Sequence, residues 1–249
     1  MIRWLTRCES TQDALNAEPP TTSAVATLEQ TQGRGRRGRR WVSPAQTSLA
    51  LSWRAPIDRL CAEELPLISL AAGVGLYRWI EGLERPSDSP LHPRLCLKWP
   101  NDLLFEGRKL AGILCEGRVR GDHQEVIVGL GVNLSLHQQL PPGCAALDEL
   151  ISPESRSALP LREVSVPALV VELNDAVERL AENRATLLAE WSARGLPLGT
   201  SLRAGGRVGV YQGVDERGAL RLNHGEEQTT VESGEVELLG SLAPPDYSS

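Results

Sequence analysis

Lysine is nearly absent from this chain. Among the 26 basic residues of its 249, only Lys98 and Lys109 are lysine and the others are arginine. Codon bias accounts for such a depletion. The two survivors still raise a question, because lysine is a compact point charge and arginine a planar fork, and a site can need one rather than the other. Paired cysteines are missing too. Cys8, Cys61, Cys96, Cys115 and Cys144 are scattered, with no C-x-x-C, which argues against a disulfide framework and against structural zinc. His92, His123, His137 and His224 have no ligand spacing, so no metal is assigned to protein side chains. The N-terminus lacks the apolar core of a signal peptide, and no run approaches the ~20 apolar residues of a membrane span, so the cytoplasm is the expected location. Net charge is −6, which excludes a general nucleic-acid or anionic-membrane binder. Any anion site must therefore be local.

One local basic patch stands out. Residues 33–40 read GRGRRGRR, five arginines and three glycines in eight positions. Gly33, Gly35 and Gly38 satisfy G-x-G-x-x-G, but the dinucleotide reading also needs a helix to follow, and Arg39-Arg40-Trp41-Val42-Ser43-Pro44 has no helical period. A nucleic-acid segment or a solvated basic turn is a second reading. The third is a lid over a phosphate-bearing small molecule: glycine permits close approach and arginine grips oxyanions bidentately. Several like charges in one loop predict mobility until an anion neutralises them.

The pattern around the loop is that of an α/β chain. A short helix is expected at 10–18 and strands at 23–29 and 48–54. A helix runs from Pro66 to about Glu84, and a loop covers 85–93. Strands follow at 94–99, 102–106 and 108–116, the last two joined by a tight Glu106-Gly107 turn, and at 125–134, where two internal glycines suggest a close neighbour or ligand. Placed at an edge, the 125–134 strand could pair across a homodimer, though nothing in the pattern requires it. Pro167 starts one long helix to about Arg194, with Leu169, Leu173, Val177, Leu180, Leu187, Leu188 and Trp191 as its buried stripe. Residues 200–240 alternate in short stretches, as in a small antiparallel barrel. The expectation is a mixed sheet with helices on one side, divided into a domain over 1–195 and a small one over 196–249.

Four stretches fall into one order: EST at 9–11, EQTQGRGRRGRRWVSP at 29–44, KWPNDLL at 98–104 with RKLAGILCE at 108–116, and VGLGVNL at 128–134. Together they resemble the biotin protein ligases. The resemblance implies a class II synthetase-like catalytic domain with an SH3-like C-terminal barrel. The chain starts just before the first motif, which suggests the form without a DNA-binding domain. The resemblance also implies that biotin is activated with ATP to biotinyl-5'-AMP and transferred to a lysine of a biotin carboxyl carrier protein, with Mg²⁺ accompanying ATP. No DNA and no membrane partner is expected.

The resemblance further assigns Ser10, Thr11, Gln12 and Gln30 to the biotin pocket. Most relatives have asparagine where Gln12 stands, and Gln32 replaces a small residue. Arg34, Gly35 and Arg36 match the segment that closes over biotin and the adenylate, Trp41 the tryptophan beside adenine, and Asn133 a nucleotide contact. Lys98 matches the lysine at the biotin carboxylate and the α-phosphate. Lys98, Arg34 and Arg36 are thereby the expected catalytic groups. Bland readings stand beside these: Lys98 as a solvated strand lysine, Trp41 and Trp99 as core or rim, Ser10-Thr11 as a helix cap, Asp102 as an arginine's partner. A lipoate-type acyl ligase is the rival enzyme, and a nucleic-acid-binding module the rival from another class.

Overall fold

The computed structural model describes residues 1–83, 91–120, 123–151, 165–225 and 227–240. Seven strands form one sheet in the order β1-β2-β3-β7-β6-β5-β4. They are β1 (Ile2–Trp4), β2 (Ala24–Thr27), β3 (Ser48–Arg54), β4 (Leu95–Lys98), β5 (Asp102–Phe105), β6 (Arg108–Arg120) and β7 (His123–Asn133). Only β1 and β2 run parallel; every other pair is antiparallel. The sheet is mixed, as expected. The strand expected at 125–134 is not an edge. It lies between β3 and β6, paired with β3 over Ile127–Asn133 and with β6 over His123–Val132, so the stretch shared by the two is central and offers no edge to a second copy. A two-sided apolar run reads alike at an edge and at a centre, and this one is central.

Helix α2 (Ile68–Glu81) packs on one face with α3 (Val166–Glu182) and α4 (Arg184–Ala193). The long helix expected over 167–194 is two helices. Asn183 breaks it with φ −155° and ψ 89°, and its Oδ1 accepts from the Thr186 N–H to cap the second. All seven residues of the expected stripe are nonetheless buried. Helix α1 (Thr11–Ala17) corrects the one-sided arrangement. Its Leu15 packs with Val25 of β2 and Ile127 of β7 in a small cluster apart from the main core, while Ala24, Ala26, Val126 and Val128 face that core. Alternation along a strand places those two sets on opposite faces. The α1 face is the one on which the candidate site is built.

The remaining strands, β8 (Ser201–Ala204), β9 (Arg207–Val214), β10 (Leu220–His224), β11 (Glu227–Val231) and β12 (Val236–Leu238), form an antiparallel five-stranded sheet in the order β11-β10-β9-β8-β12. The last strand returns to pair with the first, as the barrel expectation requires. This sheet seats against the start of α2 and the β4–β5 turn through the turn at Gly218. The turn has φ 75°, and a side chain there would overlap Leu67 and Leu70. The Gly218 carbonyl accepts from Trp99 Nε1 at 2.9 Å. The loop expected at 85–93 falls partly outside the described residues. No described helix is long and apolar enough to cross a membrane.

Candidate active site

The α1 face of the sheet is covered by residues 30–41, leaving a cavity of about 170 Å³. Its floor is built from glycine. Gly129 on β7 leaves room for the Gln12 side chain, which a Cβ would meet at 3.0 Å. Gly131, one residue pair further along, leaves room for the Trp41 indole, which a Cβ would overlap; Gly112 on β6 also lies against it. The two glycines of VGLGVNL therefore mark a close approach, with Gln12 and Trp41 as the neighbours.

Ser10 occupies the position before α1, yet its hydroxyl makes no capping bond. Thr11 is fixed instead of free: its N–H and Oγ1 donate to Gln30 Oε1 at 2.7 and 3.1 Å, and Oγ1 lies 2.8 Å from Ser52 Oγ. Gln12 Nε2 donates to the Leu114 carbonyl at 3.2 Å. Gln32 is exposed and lies outside the lining.

The basic loop makes a small hairpin. Gly35 N–H donates to Arg39 O at 2.7 Å and Trp41 N–H to Gly33 O at 2.9 Å. Arg36–Gly38 is a single 3₁₀ turn with Arg37 left-handed at φ 56°, so no helix opens after the glycines and the dinucleotide reading falls. The loop's arginines already have partners, contrary to the expectation that only an incoming anion relieves their repulsion. Arg34 pairs with both oxygens of Asp13 at 2.8 and 3.0 Å and with Glu116 at 3.0 Å. Arg36 donates to Asn101 Oδ1 at 3.0 Å and to the Gly234 carbonyl at 3.4 Å. Arg39 pairs with Glu235, and that hydrogen bond holds the Glu235 carboxyl below its ordinary range. Arg36, Arg39 and Glu235 all line the cavity, so the second sheet forms one of its walls.

Strands β4 and β5 supply the centre. Lys98 and Asp102 face each other in register across the turn Trp99-Pro100-Asn101, with Nζ to Oδ2 at 3.4 Å. Asn101 fastens the turn to β6 by donating to the Ile113 carbonyl at 2.8 Å. Ser69 Oγ of α2 donates to Pro100 O at 3.0 Å. Lys109 of β6 reaches the other oxygen of Asp102 at 2.6 Å, its Nζ 5.6 Å from the centre of the Trp41 ring. Asp102 is thus the partner of the chain's two lysines and not of an arginine. Trp99 is buried, as its bland reading held, while still lining the cavity.

Nine of the ten residues singled out in the sequence, Ser10, Thr11, Gln12, Gln30, Arg34, Gly35, Arg36, Trp41 and Lys98, meet in this lining. Asn133 does not. It is buried behind the floor, and its amide donates to the Lys109 and Ala145 carbonyls at 3.2 and 3.0 Å. Lys109, Asn101, Asp13, Glu116 and Glu235 were not singled out as site residues. Asn101 lies within KWPNDLL, and Lys109 and Glu116 within RKLAGILCE, so those motifs and the scarcity of lysine were signals; Asp13 and Glu235 carried none. Among the described residues no group of three or more His, Cys, Asp or Glu is arranged to hold a metal ion.

The arrangement is one for anions: two lysines and several arginines converge on a glycine floor beside a small polar pocket. Similarity to known proteins points the same way. The model of the biotin/lipoate A/B protein ligase family matches residues 4–133. A biotin--[acetyl-CoA-carboxylase] ligase of Paracoccus denitrificans is 32% identical over 253 residues, covering 93% of this chain and 98% of that one. One of Mycobacterium tuberculosis is 31% identical over 215 residues, covering 83% of this chain and 75% of its own. The structure of a biotin protein ligase from Aquifex aeolicus in complex with biotin and ATP superposes with a TM-score of 0.71 at 25% identity, covering 96% of this chain and 99% of that chain. With a family model over residues 4–133 and two ligases above 30% identity along most of their length, the chain belongs to the biotin/lipoate A/B protein ligase family, among its biotin ligases.

Proposed function

We propose that this chain activates biotin with ATP to biotinyl-5'-AMP and then transfers the biotinyl group to a lysine of a biotin carboxyl carrier protein. The observation that carries the reading is the placing of Lys98 under the arginine loop, in one cavity with Ser10, Thr11, Gln12 and Gln30. In the first step a biotin carboxylate oxygen attacks the α-phosphorus of ATP and pyrophosphate leaves. Two anions must approach, and Lys98 between them offsets the repulsion that grows toward the transition state. Arg34 and Arg36 exchange their protein partners for phosphate oxygens and shut out water.

The pocket end is polar and small. Thr11 and Gln30 hold one another rigid, so the hydrogen-bonding edge presented to a ureido ring is set before binding. In the second step the carrier amine attacks the acyl carbon, AMP departs, and the amine loses its proton. ATP would bring Mg²⁺ with it to offset the charge of its phosphates; the lining carboxylates Asp102 and Glu235 are themselves paired with the two lysines and with Arg39. In this reading residues 1–195 form the catalytic domain. Residues 196–249 form a smaller one whose Glu235 and Gly234 steady the lid.

The test is biotin-dependent ATP–pyrophosphate exchange by the purified chain without a carrier. Exchange that needs both biotin and Mg²⁺ supports the reading. Exchange driven by lipoate and not by biotin, or salt-sensitive nucleic-acid binding without biotin binding, overturns it.

A further inference from the structure

Lys98 and Lys109 share one carboxylate unequally. Asp102 Oδ1 lies 2.6 Å from Lys109 Nζ, and Oδ2 lies 3.4 Å from Lys98 Nζ. Two ammonium groups on one carboxylate leave a net positive charge at the centre of the cavity. The closer pairing draws the carboxylate's charge toward Lys109, because the attraction falls with distance.

The fold is built to bring Lys109 there. The pairing of β5 with β6 shifts register between Leu103 and Leu104, so that Gly112 and not a side-chain-bearing residue stands opposite Asp102. The Lys109 chain passes over that glycine: a Cβ at Gly112 would meet its Cε and Nζ, each at 3.2 Å. Its main chain is locked on both sides, with the N–H donating to Gly143 O at 2.9 Å and the carbonyl accepting from Ala145 N at 2.9 Å and from Asn133 Nδ2 at 3.2 Å. The far side of the ammonium rests on the Trp41 ring face.

We infer that Lys109 is a positioning residue that occupies Asp102 and so leaves the Lys98 ammonium available for substrate, with Asn133 acting behind it. Without Lys109, Asp102 has one cation left, and Lys98 collapses onto its own counter-ion instead of meeting the incoming carboxylate and phosphate. Lys109 touches no substrate in this scheme and acts only through Asp102. The inference rests on the adenylation reading above for its kinetic consequence, but not for the coupling between the two lysines.

The lysine-poor sequence makes the coupling directly measurable. A chain labelled with ¹³Cε-lysine gives two side-chain signals, assigned by Lys98→Met and Lys109→Met. The expected result is that Lys109→Met moves the Lys98 signal, and that in the Asp102→Asn background the same change leaves it in place. In exchange assays Lys109→Met should lower kcat about tenfold with KM for biotin little changed, and in the Asp102→Asn background it should cost nothing further. Lys109→Gln serves where Lys109→Met melts early. A Lys98 signal blind to Lys109, or a further tenfold loss in the Asp102→Asn background, overturns the inference, the latter by making Lys109 a direct ligand contact. If the wild-type chain shows no exchange, the functional reading fails while the spectra still decide the coupling.

Discussion

Trp41 lies flat against Gly131, so close that the smallest side chain at position 131 would overlap the indole. The lid's last residue is thus seated by a missing side chain in the middle of the sheet. Gly131→Ala should push Trp41 off the floor and misplace the loop, at an overpacking cost of about 1–3 kcal/mol. The expected outcome is a Kd for ATP raised about tenfold, with biotin affinity less affected, read by calorimetric titration of each ligand. Unchanged ATP affinity would mean that Trp41 is a rim residue.

Lys98 is the cation placed where the two substrate anions meet. Lys98→Ala should slow adenylate formation roughly a hundred- to a thousandfold, the scale of deleting one preorganised donor at a developing charge. Single-turnover formation of biotinyl-5'-AMP is the measurement. A near-normal rate would remove Lys98 from the chemistry.

Glu235 ties the lid to the second sheet through Arg39, and both side chains are exposed. Exposed pairs contribute little to stability, so Glu235→Gln should change it by less than about 0.5 kcal/mol. Its effect should appear in sequestration: preformed biotinyl-5'-AMP should leave the enzyme faster, because the arginine loop has lost an anchor. Stopped-flow release with a fluorescent adenylate analogue would show it, and equal release rates would confine Glu235 to the surface.

Alkaline pH should unfold the chain before its arginines titrate. Burial pushes the Cys96 thiol from 9.0 up to about 12, and burial together with the Asp13 charge pushes Cys8 from 9.0 up to about 11. Burial also raises the Tyr211 hydroxyl above its ordinary value of 10.0. Each folded-state pKa lies above the unfolded one, so the unfolded state releases protons first. The stabilisation is complete below about pH 9 and is lost as pH rises toward those folded values. Tm measured across this range should fall steadily from about pH 9, and Cys96→Ala should flatten part of the slope.

Much of the site is readable in the sequence. Lys98, Trp41 and the arginine loop lie in compact motifs whose residue types already state an anion-binding purpose. The strands around them announce themselves by alternation and by glycine at the points of contact. The hairpin turn Glu106-Gly107 adopts positive φ at both residues, 50° and 75°, as a two-residue turn between twisted strands requires. Other features were closed to local reading. One helix stripe fitted 167–194, yet Asn183 divides it, because a side chain that caps a helix also permits an interior residue. The 125–134 strand gave no sign of being central, since periodicity reports burial and not neighbours.

The sequence by itself determined which residue types exist to do the work: a lysine for two anions, arginines for phosphates, glycines for a floor. Tertiary structure alone decided their partners. Asp13, Glu116 and Glu235 neutralise the lid from three separate elements, and Asp102 is divided between two lysines because a register shift leaves Gly112 beside it. Motif chemistry is local and survives in the order of residues. Charge balance depends on distance through space, and only the folded chain brings those carboxylates within reach.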